Sequence, residues 1–409
     1  MANKTVLNID VLDKLSDNIV DRMDNTNEYI LRQIGESIKK IGALTPSKAQ
    51  ELGQIMKYGG DYNKIVKELS KQTGITVKEL NELFDRVAKE NYAFAEQFYN
   101  YRHTLYLPYK DNVVLVNAVE AIKRTALQDF INLSATTALG YGLMDDDGNI
   151  VFTNLQDAYN KIIDEAVISI GQGKDTYVSA MKKRMDELCE SGLRVIYPTT
   201  YVDKNGIVKH HSRRLDSAMR MNIVDGVNQV YNQEQRILGE QFESDGVEIS
   251  SHIYPAPDHA LLQGRQFSNV EFNKLENQEK AITYDGIIIP ANSNRRQIGT
   301  LNCKHNILSI VLGVSRPRRS KEELQKVLDD NEKGFTYEGK HYTLYEATQL
   351  QRQLELGMRK TKDGMTLVES SGIGDLDKLT NRYKELKRKH KEVSLLLNKN
   401  TEVRIWDLV

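Results

Sequence analysis

Gly192-Leu193-Arg194-Val195-Ile196-Tyr197, then Asp203-Lys204-Asn205-Gly206, then Ile207-Val208-Lys209-His210: this stretch decides the fold. Two short runs of β-type residues flank an Asn-Gly pair, the dipeptide that fits a tight hairpin because both central positions need a positive φ. Upstream the chain reads as helix after helix. The change at Gly192 therefore marks the passage from a helical region to an α+β one.

Working back from it, Val11, Leu15, Ile19 and Met23 repeat at the spacing of one helical face, and Tyr29, Ile30, Ile34, Ile38 and Ile41 continue it to a stop at Gly42. Thr45-Pro46-Ser47 opens a short helix that Gly59-Gly60 ends. Asp61–Gln72 and Thr76–Asn91 read as a further pair broken at Gly74, the second opened by a capping box at Thr76-Val77-Lys78-Glu79. Two longer helices follow, Val113–Ala138 and Leu155–Leu188, joined by a connection over Gly140–Gly148. No sheet is expected before residue 150. The run Asp145-Asp146-Asp147-Gly148 invites a calcium reading, but Thr153–Gln156 lacks the closing glutamate, so a solvated turn is preferred.

Working forward, a helix spans Leu215–Glu243, a strand Val247–Ile253, a turn Tyr254-Pro255-Ala256-Pro257, and a short helix begins at Asp258. A long loop then reaches Gly299, and Ile307–Val314 is a last apolar strand. Beyond it, Leu344–Thr361 and Leu376–Leu397 carry helical spacing either side of Gly372-Ile373-Gly374. The expected fold is mainly α with a small α+β central domain, a helical N-terminal arm and a long C-terminal helix. It divides into a helical region 1–190, a core domain 191–315, and a hairpin, long helix and tail 316–409.

Composition limits the function. Across 409 residues, 56 basic against 57 acidic side chains leave a formal net charge of -1, which makes no case for a whole-surface nucleic-acid binder. The two cysteines, Cys189 and Cys303, form no disulfide framework. No apolar run approaches the roughly 18 residues that span a bilayer, and Met1–Thr5 lacks the apolar stretch of a signal peptide, so no membrane segment and synthesis in the cytoplasm are expected.

His252-Ile253-Tyr254-Pro255-Ala256-Pro257-Asp258-His259, followed by Gln263-Gly264-Arg265 and Phe267-Ser268, resembles the core signature of phage minor capsid proteins. Gly299-Thr300-Leu301-Asn302-Cys303-Lys304-His305 is similar to that family's downstream block. Leu215–Arg220 with Asp225-Gly226-Val227-Asn228-Gln229 resembles its preceding helix, and Tyr337–Gln349 its closing hairpin and helix. The blocks stand in the right order over Leu193–Lys360. The pattern departs at Leu262, where an aromatic residue usually stands. The resemblance implies a minor head protein of a tailed bacteriophage, similar in role to Mu-type head morphogenesis proteins. Its implied partners are the portal and other head proteins, and its location is the virion, near the portal. Some such proteins leave the head with the DNA.

The chemistry-bearing residues are His252, His259, Cys303 and His305, with Pro257, Asp258, Gln263, Gly264 and Asn302 as the motif core. His-x6-His and Cys-x-His offer imidazole and thiolate, the donors zinc takes, so zinc is the one candidate cofactor. The plainer reading, favoured on sequence, is a hydrogen-bonded cluster that pins loops, with Cys303 a small buried residue. A cysteine- or zinc-dependent hydrolase or transferase, with Cys303 as nucleophile and His259 as base, is the alternative to a non-enzyme. In each case His252, His259, Gln263, Asn302, Cys303 and His305 are expected to converge. The basic stretches Arg316, Arg318, Arg319 and Lys387, Arg388, Lys389 are candidates for DNA or partner contact, although interleaved Glu385 and Glu392 favour a solvated helix face. Trp406, with Ile405 and Leu408, is expected to anchor the tail on a partner or on the central domain.

Overall fold

The computed structural model describes residues 9–58, 60–102, 107–145, 147–202, 208–277, 282–284, 287–289, 296–301 and 303–401. The expected tail anchor at Trp406, the Asn205-Gly206 turn and Asn302 lie outside them.

Helix α1 (Ile9–Gly42) and α2 (Pro46–Tyr58) form as their spacing predicts. Ile19, Met23, Ile30, Ile34, Ile38 and Ile41 make one buried stripe on α1. The expected break at Gly74 is absent: α3 (Gly60–Arg102) runs straight through it. Thr76 does not cap a new helix; its hydroxyl donates to the Gln72 carbonyl at 2.9 Å, and Glu79 pairs with Arg22. Ile65, Leu69, Leu80, Leu83, Phe84 and Val87 are buried along this helix on both sides of Gly74. Burying that stripe outweighs the roughly 1 kcal/mol that an interior glycine costs.

A short 3-10 turn at Tyr109–Asp111 leads into α4 (Val113–Leu133), whose first turn is capped by the Asn112 side chain accepting from the Leu115 N–H. The chain then departs from an all-helical course. Leu139–Met144 (β1) and Ile150–Asn154 (β2) form an antiparallel hairpin where a helix end and a connecting turn are expected. Leu139, Tyr141 and Leu143 are fully buried and alternate with Gly140 and Gly142. The period of two is present, but glycines at the intervening positions imitate a turn. The second long helix is also two, α5 (Leu155–Gln172) and α6 (Lys174–Ser191), divided at Gly173, where φ is +119°.

The hairpin at the deciding stretch forms as β3 (Arg194–Val202) and β4 (Val208–Arg214). It joins the unexpected one in a single antiparallel sheet ordered β2-β1-β3-β4, with Gly140 opposite Arg194, so the sheet spans residue 190. Next come α7 (Leu215–Gln241), β5 (Gly246–Ile249), β6 (Gln266–Ser268), α8 (Asn269–Asn277), β7 (Ile282–Tyr284), β8 (Ile287–Ile289) and β9 (Ile307–Ile310). The segment expected to be a long loop before Gly299 thus holds β6, α8 and the β7–β8 hairpin. Phe267, Phe272 and Leu275 bury its first half. No helix starts at Asp258; residues 257–264 form consecutive turns.

The C-terminal part is α9 (Lys321–Lys333), a β10 (Phe335–Tyr337)–β11 (Lys340–Tyr342) hairpin, and two helices, α10 (Leu344–Ser371) and α11 (Leu376–Thr401). These last pack side by side through Leu354, Val393 and Leu397. α10 lies back on α1, where Asn27 donates to Asp363 at 2.9 Å. One apolar core consequently runs from Ile19 in α1 through α3, α5 and α7 to Leu367 and Ile373. Among the described residues no helix is long and apolar enough to cross a membrane.

Candidate functional site

A second, smaller core underlies the site. The antiparallel sheet β6-β5-β9 places Val247 between Phe267 and Ser309, and Ile249 opposite Ile307. Val247, Ile249, Leu262, Phe267, Phe272, Leu275, Ile298 and Ile307 pack together. Leu262, the position where the family signature usually has an aromatic residue, is 1% exposed and fills this core. Two loops leave the sheet, one after β5 and one before β9. Ser250 and Asn306 staple them, the Ser250 N–H donating to the Asn306 carbonyl and the Asn306 N–H to the Ser250 hydroxyl, each at 2.9 Å.

Helix α7 holds the second loop along one polar stripe. Asp225 accepts the Leu301 N–H at 3.0 Å, and Asn228 donates to the Cys303 carbonyl at 2.6 Å. Asn232 accepts the Ile307 N–H at 3.0 Å, and Gln235 the Ser309 N–H at 3.2 Å. The four side chains recur at three and four residues and so share one face of α7. Their other neighbours on α7, Ile223, Val227, Val230 and Tyr231, are buried. Sequence reading places Asp225 and Asn228 only as part of a helix preceding the motif. A polar residue recurring at three and four on an otherwise apolar helix is the signal that finds this stripe.

The predicted residues converge across the two loops. His259, Cys303 and His305 are 0%, 2% and 1% exposed, and their ligand atoms all lie within 4.8 Å of one another. His259 Nδ1 is 3.2 Å from the Cys303 sulfur, and His305 Nδ1 is 3.5 Å from it. Neighbours fix the ring tautomers. Nε2 of His259 lies 2.7 Å from the Arg296 carbonyl oxygen, which only accepts, so Nε2 carries the hydrogen and Nδ1 turns a lone pair to the sulfur. Nε2 of His305 faces the Gln263 side-chain oxygen at 3.5 Å, an atom that already accepts the His252 backbone N–H at 3.0 Å. His305 therefore also presents a bare Nδ1. His252 stands outside this trio, its ring stacked on that of His305 with centroids 4.3 Å apart.

The electrostatics follow from burial. Desolvation, aided by the charge of Lys304, pushes His252 down to about 3, and desolvation puts His305 well below its ordinary value. Both rings are neutral at physiological pH. Burial also pushes the Cys303 thiol up, against the opposing pull of backbone N–H groups at Gly299 and His305. A buried thiol of raised pKa is the opposite of an activated nucleophile. Asp258 differs: burial would raise its carboxyl, but the Arg296 guanidinium outweighs that and holds it below the ordinary range. Arg296, which no sequence pattern singled out, thus organises the first loop from the second.

Gly264 is buried with φ +69°, and a Cβ there would lie 2.4 Å from Leu324 Cδ2. Pro257 is exposed. Of the basic residues, Arg316 and Arg318 are exposed, and the Arg318 N–H donates to Glu248 at 3.3 Å. On α11, Arg388 pairs with Glu385 and Glu392, and Lys389 with Glu338, while Lys387 is exposed. That stretch is largely neutralised by its own neighbours.

A family model described as phage minor capsid protein 2 matches residues 7–397. No curated protein and no solved structure matches the chain.

Proposed function

The chain belongs to the phage minor capsid protein 2 family, and from that premise we propose that it is a structural minor head protein of a tailed bacteriophage, seated at or near the portal and assisting head assembly or genome delivery. Membership places it among the proteins of the virion. The observation that carries a structural role is the continuity of the molecule. A single core links α1 to α10, and the polar stripe of α7 ties the smaller sheet to that core.

The cluster supports the same reading. Cys303 is buried and its thiol is pushed up, so we read it as a fastening between two loops and the protein as a non-enzyme. Contact with packaged DNA through Arg316, Arg318, Arg319 or Lys387–Lys389 is read as weak, since Arg388 and Lys389 pair with Glu385, Glu392 and Glu338.

Co-expression with the portal protein of the same phage tests the assignment. The chain is expected to copurify with assembled portal rings and to be present in purified heads. Heads that form and package DNA without it, together with no association with the ring, would overturn it.

A further inference from the structure

We propose that His259, Cys303 and His305 hold a zinc ion that cross-links the loop after β5 to the loop before β9. Four observations converge on this. The first is distance. With Zn–N near 2.0–2.1 Å and Zn–S near 2.3 Å, a tetrahedral N···S edge is about 3.6 Å. The structure places the two Nδ1 atoms 3.2 and 3.5 Å from the sulfur. The third edge, between the two ring nitrogens, lies within 4.8 Å against about 3.3 Å in a tetrahedral site, so the two rings draw together to take the metal.

The second is a count of protons. Both imidazoles aim bare nitrogens at one thiol, and a thiol has one hydrogen. With both rings neutral, a purely hydrogen-bonded cluster has one S–H for two ring nitrogens. A cation satisfies all three donors together.

The third is the outer layer. Each ring gives its other nitrogen to an oxygen, the Arg296 carbonyl for His259 and the Gln263 side chain for His305. That arrangement orients metal-bound histidines and raises their basicity. The sulfur in turn lies 3.4 Å from the His305 backbone nitrogen, a donor that steadies a thiolate. The fourth is provenance: the donors come from two separate segments, so a metal between them ties the loop after β5 to the loop before β9. Zinc takes a fourth ligand; His252, whose ring lies against that of His305, would supply it only by turning a ring nitrogen toward the trio.

The test uses the full chain, purified without a histidine tag from zinc-supplemented medium. Elemental analysis is expected to find about one zinc per chain. Cobalt(II) added to the metal-stripped chain should give the sulfur-to-cobalt charge-transfer band and the intense visible absorption of tetrahedral sites. Cys303→Ser should abolish that band and lower retained zinc at least tenfold, while Cys189→Ser keeps both. Should Cys303→Ser fail to fold, the cobalt spectrum of the unaltered chain still decides. A folded chain that purifies without zinc and binds cobalt with no thiolate band overturns the proposal, as does zinc retained undiminished in Cys303→Ser.

Discussion

Arg296 grips Asp258 at two points, Nε to Oδ2 at 2.8 Å and Nη2 to Oδ1 at 2.9 Å, and its backbone N–H reaches Oδ2 at 3.3 Å. The same residue's carbonyl takes the hydrogen of His259. One arginine thereby sets both the turn that carries His259 and the ring's tautomer. Lysine offers a point charge and cannot reproduce the fork. Arg296→Lys is expected to cost about 1–2 kcal/mol, since a bidentate pair is stronger than a single contact but this one is partly exposed. Urea unfolding reads that loss; a midpoint equal to wild type would show that the clamp contributes nothing.

Much of the site was legible, because its chemistry resides in residue types rare in this chain. His252, His259, Cys303 and His305 stand out in two short blocks, and they do meet. Arg296 was not legible: it is one of many basic residues, and nothing in Arg295-Arg296 separates a clamp from a solvated pair. The fold divides in the same way. The α1 stripe announces itself through unbroken periodicity, and the β3–β4 strands through two β-type runs on either side of Asn205-Gly206. The β1–β2 hairpin does not, because Gly140 and Gly142 occupy the positions between its buried side chains. Glycine alone is ambiguous: Gly173 divides α5 from α6, whereas Gly74 is carried through α3 by apolar residues on either side.

Gly264 shows where that residue type is required. Its φ of +69° is unfavourable to any side chain, and an added Cβ would meet Leu324 Cδ2 at 2.4 Å. Gly264→Ala is expected to destabilise by about 1–3 kcal/mol through backbone strain and overlap together. Adding Leu324→Ala should recover the overlap but not the strain. A thermodynamic cycle over the two variants measures the division, and full recovery in the double variant would remove the backbone from the explanation.

Gly74 is the opposite case. It is exposed within α3, and nothing lies within 4 Å of where a Cβ would stand. Gly74→Ala should stabilise the protein by about 0.5–1 kcal/mol, because alanine restricts the unfolded chain and favours helix. Thermal unfolding is the check: a lower midpoint would mean that α3 needs flexibility at this turn.

Asp363 gives the molecule a pH dependence of predictable sign. On α10 it is 7% exposed and faces α1 and the end of β4, with Asn27 donating to one oxygen at 2.9 Å and Arg214 lying 3.5 Å from the other. Burial, opposed by Arg214, lifts its carboxyl to about 7, while burial opposed by Arg359 lifts nearby Asp24 to about 6. A carboxyl raised on folding binds its proton more tightly in the native state than in the unfolded chain. Its stabilising effect is therefore complete below the ordinary value near 4 and is lost as pH rises through about 7. Asp363→Asn keeps a neutral group at every pH and removes this loss. Whatever constant cost the amide carries beside Arg214, the stability of the variant relative to wild type should improve between pH 5 and pH 8. The full shift corresponds to roughly 4 kcal/mol, and coupling to Asp24 and Arg214 should reduce the observed swing to about 2 kcal/mol. Comparing the difference between the two proteins, rather than wild type alone, cancels the opposite titration of His252 and His305. Urea unfolding of both at several pH values from 5 to 8 gives the curve. Two parallel lines would mean that Asp363 is ionised throughout the range, held so by Arg214.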